Sequence, residues 1–350
     1  MHPAVTLDHA IVTSNVRAWR AFAGVPVRGV VKGDGYGWGY RALVDSLEGE
    51  VDAFCVADAD ELRDLRRHTA TRAIVLGDVP LARLAEVMAL AALANIDTPA
   101  ALTIAEHHAK SHAMPLRVRL GVRPAAAWSG LSLDEIRSFA PLLAQARAHV
   151  EVWSHITDWQ NRDAQQALFS EAVRVLRAAQ VDVVDTEIAS TLSLAADGAL
   201  GSRVRIGIGL FGAAVATGAD SANGAAAVSG LRCALRVVAP ITRVERVRED
   251  TRVGYGSRTV DAGSRIATAR CGYADGLPAA LSGYDGIISV GMQYVSVGES
   301  RIEPGSSHIA LLDETTNLDA LAARAGRSAH EIVTAFGNAA SARAVRHPPA

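Results

Sequence analysis

The chain has 350 residues, of which 49% are hydrophobic and 21% are charged, and its formal net charge is -2. That hydrophobic content is enough for a large core, and the length favours one large domain plus a smaller one. The charge is nearly balanced, and neither a basic block nor a basic amphipathic helix occurs, which argues against a nucleic-acid or anionic-membrane binder. We therefore expect a small-molecule partner.

The first two-thirds of the chain alternate short apolar runs with longer segments of helical spacing. The strand-like runs are Val27–Lys32, Ala53–Ala57, Ala73–Gly77, Leu93–Asp97, Leu116–Val122, Val150–Ile156, Val181–Ile188 and Val204–Leu210. The helical segments between them include Asp58–His68, Val79–Ala92, Pro99–His112, Asp134–Ala148 and Asp163–Ala179. This alternation predicts a parallel sheet, and eight units over roughly 200 residues fit a (β/α)8 barrel. An open doubly wound sheet is the alternative, weakened by the absence of a Gly-x-Gly-x-x-Gly turn opening the first helix.

From about Leu231 the pattern changes to short β-type runs separated by turns rich in Gly, Asp and Ser. These runs are Val237–Val247, Arg252–Val260, Arg265–Ala269, Gly286–Val290 and Tyr294–Val297. We therefore predict an α/β protein in which residues 1–230 form the (β/α)8 barrel and residues 231–350 form a mainly β C-terminal domain. Ala4–Leu7 is too short to assign and could add a strand to either domain.

The number and spacing of the cysteines and the N-terminal sequence indicate the cellular compartment of the protein. The cysteines are few, odd in number and far apart, at Cys55, Cys233 and Cys271. The N-terminus lacks a basic region followed by an apolar segment. Polar residues and a proline interrupt the most apolar long stretch, Val87–Ile104, so no membrane span is predicted. We expect a protein of the reducing cytoplasm.

Lys32 ends the first strand-like run and is followed by alternating glycines, with Tyr36 and Trp38 between them. Glycines let a bulky ligand approach the main chain, and the aromatic residues offer a ring face and a hydroxyl. A lysine held against low-dielectric surroundings loses proton affinity, which suits a Schiff-base amine. A lysine at a strand end can also simply be solvated.

Two later segments suggest a phosphate site. Barrel chemistry occurs at the C-terminal ends of strands, and the loops after strands seven and eight often hold a phosphate. Ser190 follows the predicted seventh strand, and Arg205-Ile-Gly-Ile-Gly lies in the eighth strand and its exit, where main-chain N–H groups could reach an anion. A phosphate beside a strand-end lysine suggests pyridoxal phosphate as the cofactor.

The same segments resemble the alanine racemase family, the fold-type III pyridoxal-phosphate enzymes. Val30–Gly39 resembles the family's Val-Val-Lys-Ala-Asn-Ala-Tyr-Gly-His-Gly motif, and Val204–Gly212 resembles Val-Arg-Pro-Gly-Ile-x-Leu-Tyr-Gly. Val253–Thr259 resembles Val-Ser-Tyr-Gly-x-Thr, and Gly272–Gly276 is identical to the family's Gly-Tyr-Ala-Asp-Gly. The likeness extends from Leu7 to about Gly298 and so covers most of the chain.

The resemblance implies a pyridoxal-phosphate-dependent amino-acid racemase with two bases. Lys32 would hold the cofactor and move the substrate α-proton on one face, and Tyr255 would serve the other face. In the family this tyrosine comes from the second subunit, so the resemblance implies a homodimer with shared active sites. Arg205 would face the pyridine nitrogen and, being always protonated, would keep that nitrogen unprotonated, with His155 bracing the arginine.

The remaining roles are also implied by the resemblance. The phosphate would be held by Tyr36, Ser190 and the N–H groups of Gly207 and Ile208. Tyr273 would help line the substrate entrance. Two substrate-binding motifs of the family are altered: Arg119–Gly130 lacks the family's aspartate, leaving Arg123 or Trp128 as substitutes, and Ser300–Pro304 replaces Cys-Met-Asp.

Simpler interpretations remain open for single residues. Tyr255 alone fits a packed aromatic, His155 a satisfied core histidine, and Arg205 a buried ion pair with Asp185 or Glu187. His107, His108 and His112 lie on one predicted helix without a second ligand group, so we assign no metal. The altered motifs leave open another pyridoxal-phosphate reaction, such as retro-aldol cleavage or decarboxylation. A non-catalytic carrier of the cofactor is a third possibility, against which the β domain with its Tyr255 motif argues.

Overall fold

The computed structural model describes residues 2–126, 128–214, 228–255 and 258–346, and these belong to two compact units. The first, which we call the barrel unit, comprises Val16–Gly33 and Leu47–Gly207. The second, which we call the β unit, comprises Met1–Asn15, Asp34–Ser46 and Ile208–Ala350. The domain boundary placed at residue 230 stays a prediction.

The first part of the chain alternates strands and helices. In order these are β1 (Ala4–Leu7), α1 (His9–Ala23), β2 (Val27–Val30), α2 (Lys32–Tyr36), α3 (Tyr40–Leu47), β3 (Ala53–Val56), α4 (Ala59–Leu65), β4 (Ala73–Val75), α5 (Leu81–Ala89), β5 (Ala92–Leu93), α6 (Pro99–Ser111), β6 (Arg117–Gly121), α7 (Leu133–Gln145), β7 (His149–Trp153), α8 (Arg162–Ala178), β8 (Asp182–Glu187), α9 (Thr191–Asp197) and β9 (Val204–Ile206). All eight predicted barrel strands are present, each shorter than its apolar run.

The eight strands from β2 through β9 pair in parallel and form the barrel. One sheet has the order β5-β4-β3-β2-β9 and a second the order β6-β7-β8. An isolated parallel bridge between Asn95, just after β5, and Arg119 of β6 links the two sheets on one side. On the other side, the amide of Arg205 in β9 donates to the carbonyl of Ala189, just after β8, at 3.0 Å. The predicted (β/α)8 architecture is therefore confirmed, and the doubly wound alternative is wrong.

Local sequence explains where the barrel elements begin. The strand β3 reads Ala-Phe-Cys-Val and is buried along its whole length, as expected for a parallel strand covered on both faces. Asp58 then caps α4, because its side chain accepts from the amides of Asp60 and Glu61. Ser132 and Glu135 form a reciprocal capping box at the start of α7. A cluster of buried apolar side chains from β2 to β5 forms part of the core.

The β unit contains antiparallel strands and the last helices. Its further elements are β10 (Leu235–Arg246), β11 (Thr251–Val253), β12 (Arg258–Val260), β13 (Arg265–Ala269), β14 (Ile287–Val290), β15 (Val295–Gly298), β16 (His308–Leu312), α10 (Leu318–Ala325) and α11 (Ala329–Arg346). The main sheet has the order β1-β10-β13-β15-β14, with β16 also pairing with β10. The N-terminal strand β1 therefore joins this sheet, with Ala4 opposite Val238.

Two predictions about the β unit need correction. The run Arg252–Val260 was expected to form one strand, but it is the hairpin of β11 and β12, because Gly254 has a φ of +67° and turns the chain. The helices α10 and α11 were not expected. Among the described residues, no helix is long and apolar enough to cross a membrane.

The glycine-rich segment after β2 forms a left-handed turn. Positive φ angles occur at Gly33, Asp34, Gly35, Tyr36 and Gly37, and again at Gly39. The left-handed conformation costs an L-residue about 1–2 kcal/mol, so glycines at alternate positions limit the cost to two residues of the turn. Asp34 offsets part of this cost, because its side chain accepts from the Tyr40 amide at 3.1 Å.

Gly37 also permits a close approach of α11. A Cβ atom at this position would clash with Asn338 Oδ1 and would lie 2.8 Å from the Asn338 amide nitrogen. The Ser341 hydroxyl donates to the Gly37 carbonyl at 2.6 Å. This glycine is therefore required for packing within the β unit, in addition to any ligand approach.

We expect Gly37→Ala to lower the free energy of unfolding by about 3 kcal/mol, from the strained φ plus the clash with Asn338. Gly39→Ala is the matched control, because Gly39 has a φ of +86° but a Cβ there meets nothing within 4 Å. The control should lose only about 1 kcal/mol, for the backbone strain. Urea unfolding of both variants would measure the difference, and equal losses would contradict the packing role.

Candidate functional site

Several predicted site residues follow strands of the barrel unit. Lys32 comes after β2, Arg123 after β6, His155 after β7, and Ser190 after β8. The C-terminal ends of parallel strands lie at one end of a barrel, which is where barrel enzymes build their active sites. Lys32 is exposed, so the low-dielectric surroundings anticipated for its amine are not provided by the single chain.

Arg205 is the buried cation of this group. It lies in the middle of β9 and is 4% exposed. Its Nη1 donates to Glu187 Oε1, and its Nη2 donates to the Ser154 carbonyl at 2.7 Å. Of the two ion-pair partners considered from the sequence, Glu187 contacts Arg205, whereas Asp185 pairs with Arg203.

Glu187 accepts from two further buried arginines. Arg119 Nη2 donates to Glu187 Oε1 at 2.6 Å, and Arg28 Nη1 donates to Glu187 Oε2 at 2.7 Å. Arg28 also donates through Nη2 to Glu151 Oε2 at 2.7 Å. We call these five side chains the arginine cluster: Arg28, Arg119, Glu151, Glu187 and Arg205. The cluster holds three buried cations against two buried carboxylates.

Charge outweighs burial in setting the pKa of Glu187, whereas burial outweighs charge in setting the pKa of Arg119. Burial alone would raise the pKa of Glu187, but the neighbouring positive charges, Arg205 foremost, outweigh burial and hold the pKa well below the usual carboxyl range. Burial lowers the pKa of Arg119 to about 10, although Glu187 opposes that shift. Both groups are therefore ionised at neutral pH.

His155 contacts an aromatic ring, and Arg123 contacts residues close to it in sequence. The ring of His155 lies 5.7 Å from that of Trp128, with 32° between the planes. Arg123 Nε donates to the Gly130 carbonyl at 2.9 Å, and its Nη2 lies 3.1 Å from Glu135 Oε2. These contacts tie Arg123 to its own loop and to the start of α7, which leaves less of its guanidinium for a substrate carboxylate.

The segment around Ser190 brings hydroxyl and amide donors together. Ser190 precedes α9, and its amide donates to Ser193 Oγ at 2.9 Å. The Gly207 amide, after β9, donates to Thr191 Oγ1 at 3.3 Å. Thr191 directly follows Ser190 and was not among the residues predicted from the sequence.

The other predicted residues belong to the β unit. Tyr36 is buried, and its ring lies 5.2 Å from that of Phe211 and 6.1 Å from that of His330. Ile208 begins a short 3-10 helix, Ile208–Phe211, where the sequence had predicted a continuing strand. The strand β9 ends earlier because Gly207 and Gly209 interrupt its β-branched run.

Tyr255 and Tyr273 are exposed in the single chain. Tyr255 lies at the turn between β11 and β12 and is 93% exposed, so the interpretation as a packed aromatic is wrong for this chain alone. Tyr273 begins a 3-10 turn, Tyr273–Asp275, and half of its surface is exposed. Residues 256 and 257 of the Tyr255 motif lie outside the described residues.

Asp275 explains the Gly-Tyr-Ala-Asp-Gly motif structurally. Its carboxylate accepts from Arg270 Nη1 at 3.0 Å, from the Gly272 amide at 2.8 Å, and from Arg343 of α11. The aspartate therefore fixes the turn that presents Tyr273. In the described ranges, no three His, Cys, Asp or Glu side chains are grouped to hold a metal ion.

Family models and curated proteins of one family match nearly the whole chain. Residues 7–215 match the family model described as the N-terminal domain of alanine racemase, and residues 234–344 match the model of its C-terminal domain. The alanine racemase of Acidiphilium cryptum is 28% identical over 96% of this chain and 97% of its own length.

Solved structures give the same fold. The alanine racemase of Streptomyces lavendulae superposes with a TM-score of 0.79 at 20% identity, covering 96% of this chain and 95% of that chain. The alanine racemase of Bartonella henselae, whose structure has covalently bound pyridoxal phosphate, superposes with a TM-score of 0.76 at 19% identity, covering 97% and 98%.

Proposed function

Because the chain belongs to the alanine racemase family, we propose that it is a pyridoxal-phosphate-dependent amino-acid racemase acting by two-base transfer of the Cα proton. Enzymes of this family depend on pyridoxal phosphate. The observation that carries the proposal is the exposed Lys32 amine at the C-terminal end of β2, in a barrel that matches the family model.

The donors of the barrel unit fit the cofactor chemically. Lys32 would supply an amine for an aldehyde, and Ser190 and Thr191 would supply hydroxyl donors for a phosphate after β8, next to the Gly207 amide that donates to Thr191 Oγ1. Arg205 is the buried cation on β9. Its guanidinium is held by Glu187 and by the Ser154 carbonyl.

Lys32 and Tyr255 would carry the proton transfers. When bound, pyridoxal phosphate withdraws electrons from the substrate Cα and weakens the Cα–H bond. Lys32 would hold the cofactor and exchange a proton on one face of Cα, and Tyr255 would exchange a proton on the other. The exposure of the Tyr255 phenol supports this role, because a phenol at a hairpin turn is available to a second chain.

The other predicted residues would bind and orient. Arg205 would face the ring nitrogen and, as a permanent cation, would keep a proton off it, with His155 bracing the arginine. Ser190 and the Gly207 amide would hold the phosphate, and the family resemblance assigns Tyr36 and the Ile208 amide to the same group. Tyr273 and Arg123 would contact the substrate.

We further propose a homodimer with shared active sites, in which Tyr255 serves the partner chain. The substrate would be a small molecule, an amino acid, and we expect neither nucleic acid nor membrane to be bound. The three cysteines are free and buried, which suits a reducing compartment, so we expect activity in the cytoplasm.

Proton exchange at Cα tests the function. Each enantiomer of a panel of amino acids is incubated with protein and pyridoxal phosphate in deuterated water, followed by chiral separation and mass spectrometry. We expect one substrate to yield both enantiomers, with deuterium at Cα in the newly formed one. Loss of CO2 or of an aldehyde fragment would instead indicate decarboxylation or retro-aldol cleavage, and absence of exchange with any amino acid would indicate a carrier.

A further inference from the structure

We infer that Glu187 is a positioning residue for Arg205, an inference that rests on the proposed function. Glu187 lies at the end of β8, in register with Trp153 of β7. It is 1% exposed, and its carboxylate receives hydrogen bonds from Arg205, Arg119 and Arg28. Together with the Ser154 carbonyl, it holds the Arg205 guanidinium from two sides.

Strand register makes this carboxylate necessary. Arg28 of β2 and Arg205 of β9 are directly opposite each other in the parallel pair. Like charges at opposite positions repel and would push the two guanidinium groups apart. Glu187 accepts from both arginines, one through each carboxylate oxygen, so it fixes the distance and the orientation of Arg205 relative to Arg28.

Glu187 also sets the charge that Arg205 presents. The pair is desolvated, so the carboxylate offsets the guanidinium charge more effectively than an exposed partner would. Loss of the carboxylate would leave Arg205 both more mobile and more strongly positive toward the cofactor ring. The effect of Glu187 on the reaction is therefore transmitted through Arg205 and not through contact with the substrate.

The test is Glu187→Gln, which keeps the shape of the side chain and removes its charge. We expect a shifted absorbance maximum of the bound cofactor, measured without amino acid. We also expect kcat to fall by about 10- to 100-fold with KM changed less than about threefold, as for a misplaced group near the reacting atoms. The ratio of transaminated to racemised product should rise, as we also expect for Arg205→Ala, because a displaced or missing guanidinium no longer keeps a proton off the ring nitrogen.

Glu151→Gln is the matched control. Glu151 is equally buried and contacts Arg28 and Arg72, while Arg205 receives its carboxylate contact from Glu187. This variant should lose comparable stability and keep the wild-type absorbance maximum and product ratio. Equal spectra and product ratios in Glu187→Gln and Glu151→Gln would overturn the inference.

A second variant separates positioning from folding, because Glu187→Gln alone leaves three arginines with one carboxylate. The double variant Glu187→Gln/Arg119→Met removes one positive charge together with the negative one. Arg119 is chosen because two of its buried nitrogen atoms already lack a hydrogen-bond partner. We expect stability to recover while the absorbance shift and the low kcat persist. Recovery of the stability, the wild-type absorbance maximum and the wild-type kcat together would mean that Glu187 has only a structural role. Wild-type protein that binds no cofactor would overturn the proposed function and this inference together.

Discussion

Lys32→Ala is expected to reduce racemisation below detection and to remove covalent attachment of pyridoxal phosphate. The variant loses the amine that would hold the cofactor and also one of the two proposed bases. Borohydride treatment of the wild-type protein, followed by proteolysis and mass spectrometry, should place the reduced cofactor on the peptide that contains Lys32. The same treatment should leave that peptide of Lys32→Ala unmodified.

Lys110→Ala is the natural control, because Lys32 and Lys110 are the lysines of the chain. Lys110 is exposed on the last turn of α6, far along the sequence from β2, so its loss should change neither attachment nor rate. Reduced cofactor on Lys110 in the wild-type protein, or a Lys32→Ala variant that still racemises, would refute the assigned role of Lys32.

Tyr255→Phe is expected to slow racemisation by about 10²- to 10⁴-fold, the usual contribution of a general acid–base group. Cofactor binding should be retained, because Lys32 and the proposed phosphate donors are unchanged. The variant should still exchange the α-proton of one enantiomer through Lys32, and chiral analysis in deuterated water would measure this. Exchange of both enantiomers at equal rates would show that the tyrosine is not the second base.

A mixing experiment tests whether Tyr255 acts across a dimer. Equal amounts of Lys32→Ala and Tyr255→Phe chains are dissociated, mixed and reassociated. Half of the dimers would then be mixed, and one of their two sites would have both groups intact, giving about a quarter of wild-type activity. Mixed dimers that form without regaining activity would show that the tyrosine acts within its own chain.

The barrel could be predicted because its signal is repeated. Eight apolar runs alternate with helical spacing, and each run overlaps a strand of the structure, although β5 shares only Leu93 with its run and the runs Val27–Lys32 and Val204–Leu210 extend beyond their strands. The ends of these two strands were misplaced because positive φ angles begin at Gly33 and a 3-10 helix begins at Ile208, and neither feature appears in an apolar pattern.

The arginine cluster was harder to predict. Sequence reasoning offered Asp185 or Glu187 as the partner of Arg205, since the two acidic residues alternate along one predicted strand. The structure decides between them, because Glu187 pairs with Arg205 whereas Asp185 pairs with Arg203. The involvement of Arg28 and Arg119 depends on pairings between strands that are distant in sequence, which a single sequence does not reveal.

The pairing of β1 with β10 has a consequence for synthesis on the ribosome. Ala4 is synthesised well before its partner Val238, which follows more than two hundred residues later. At 5–20 residues per second, β1 waits roughly 10–50 s without a strand to pair with. The intervening barrel unit is completed during this interval and can fold first. Because β1 has only four residues, the unpaired strand in the nascent chain exposes few backbone groups with which another chain could pair and aggregate.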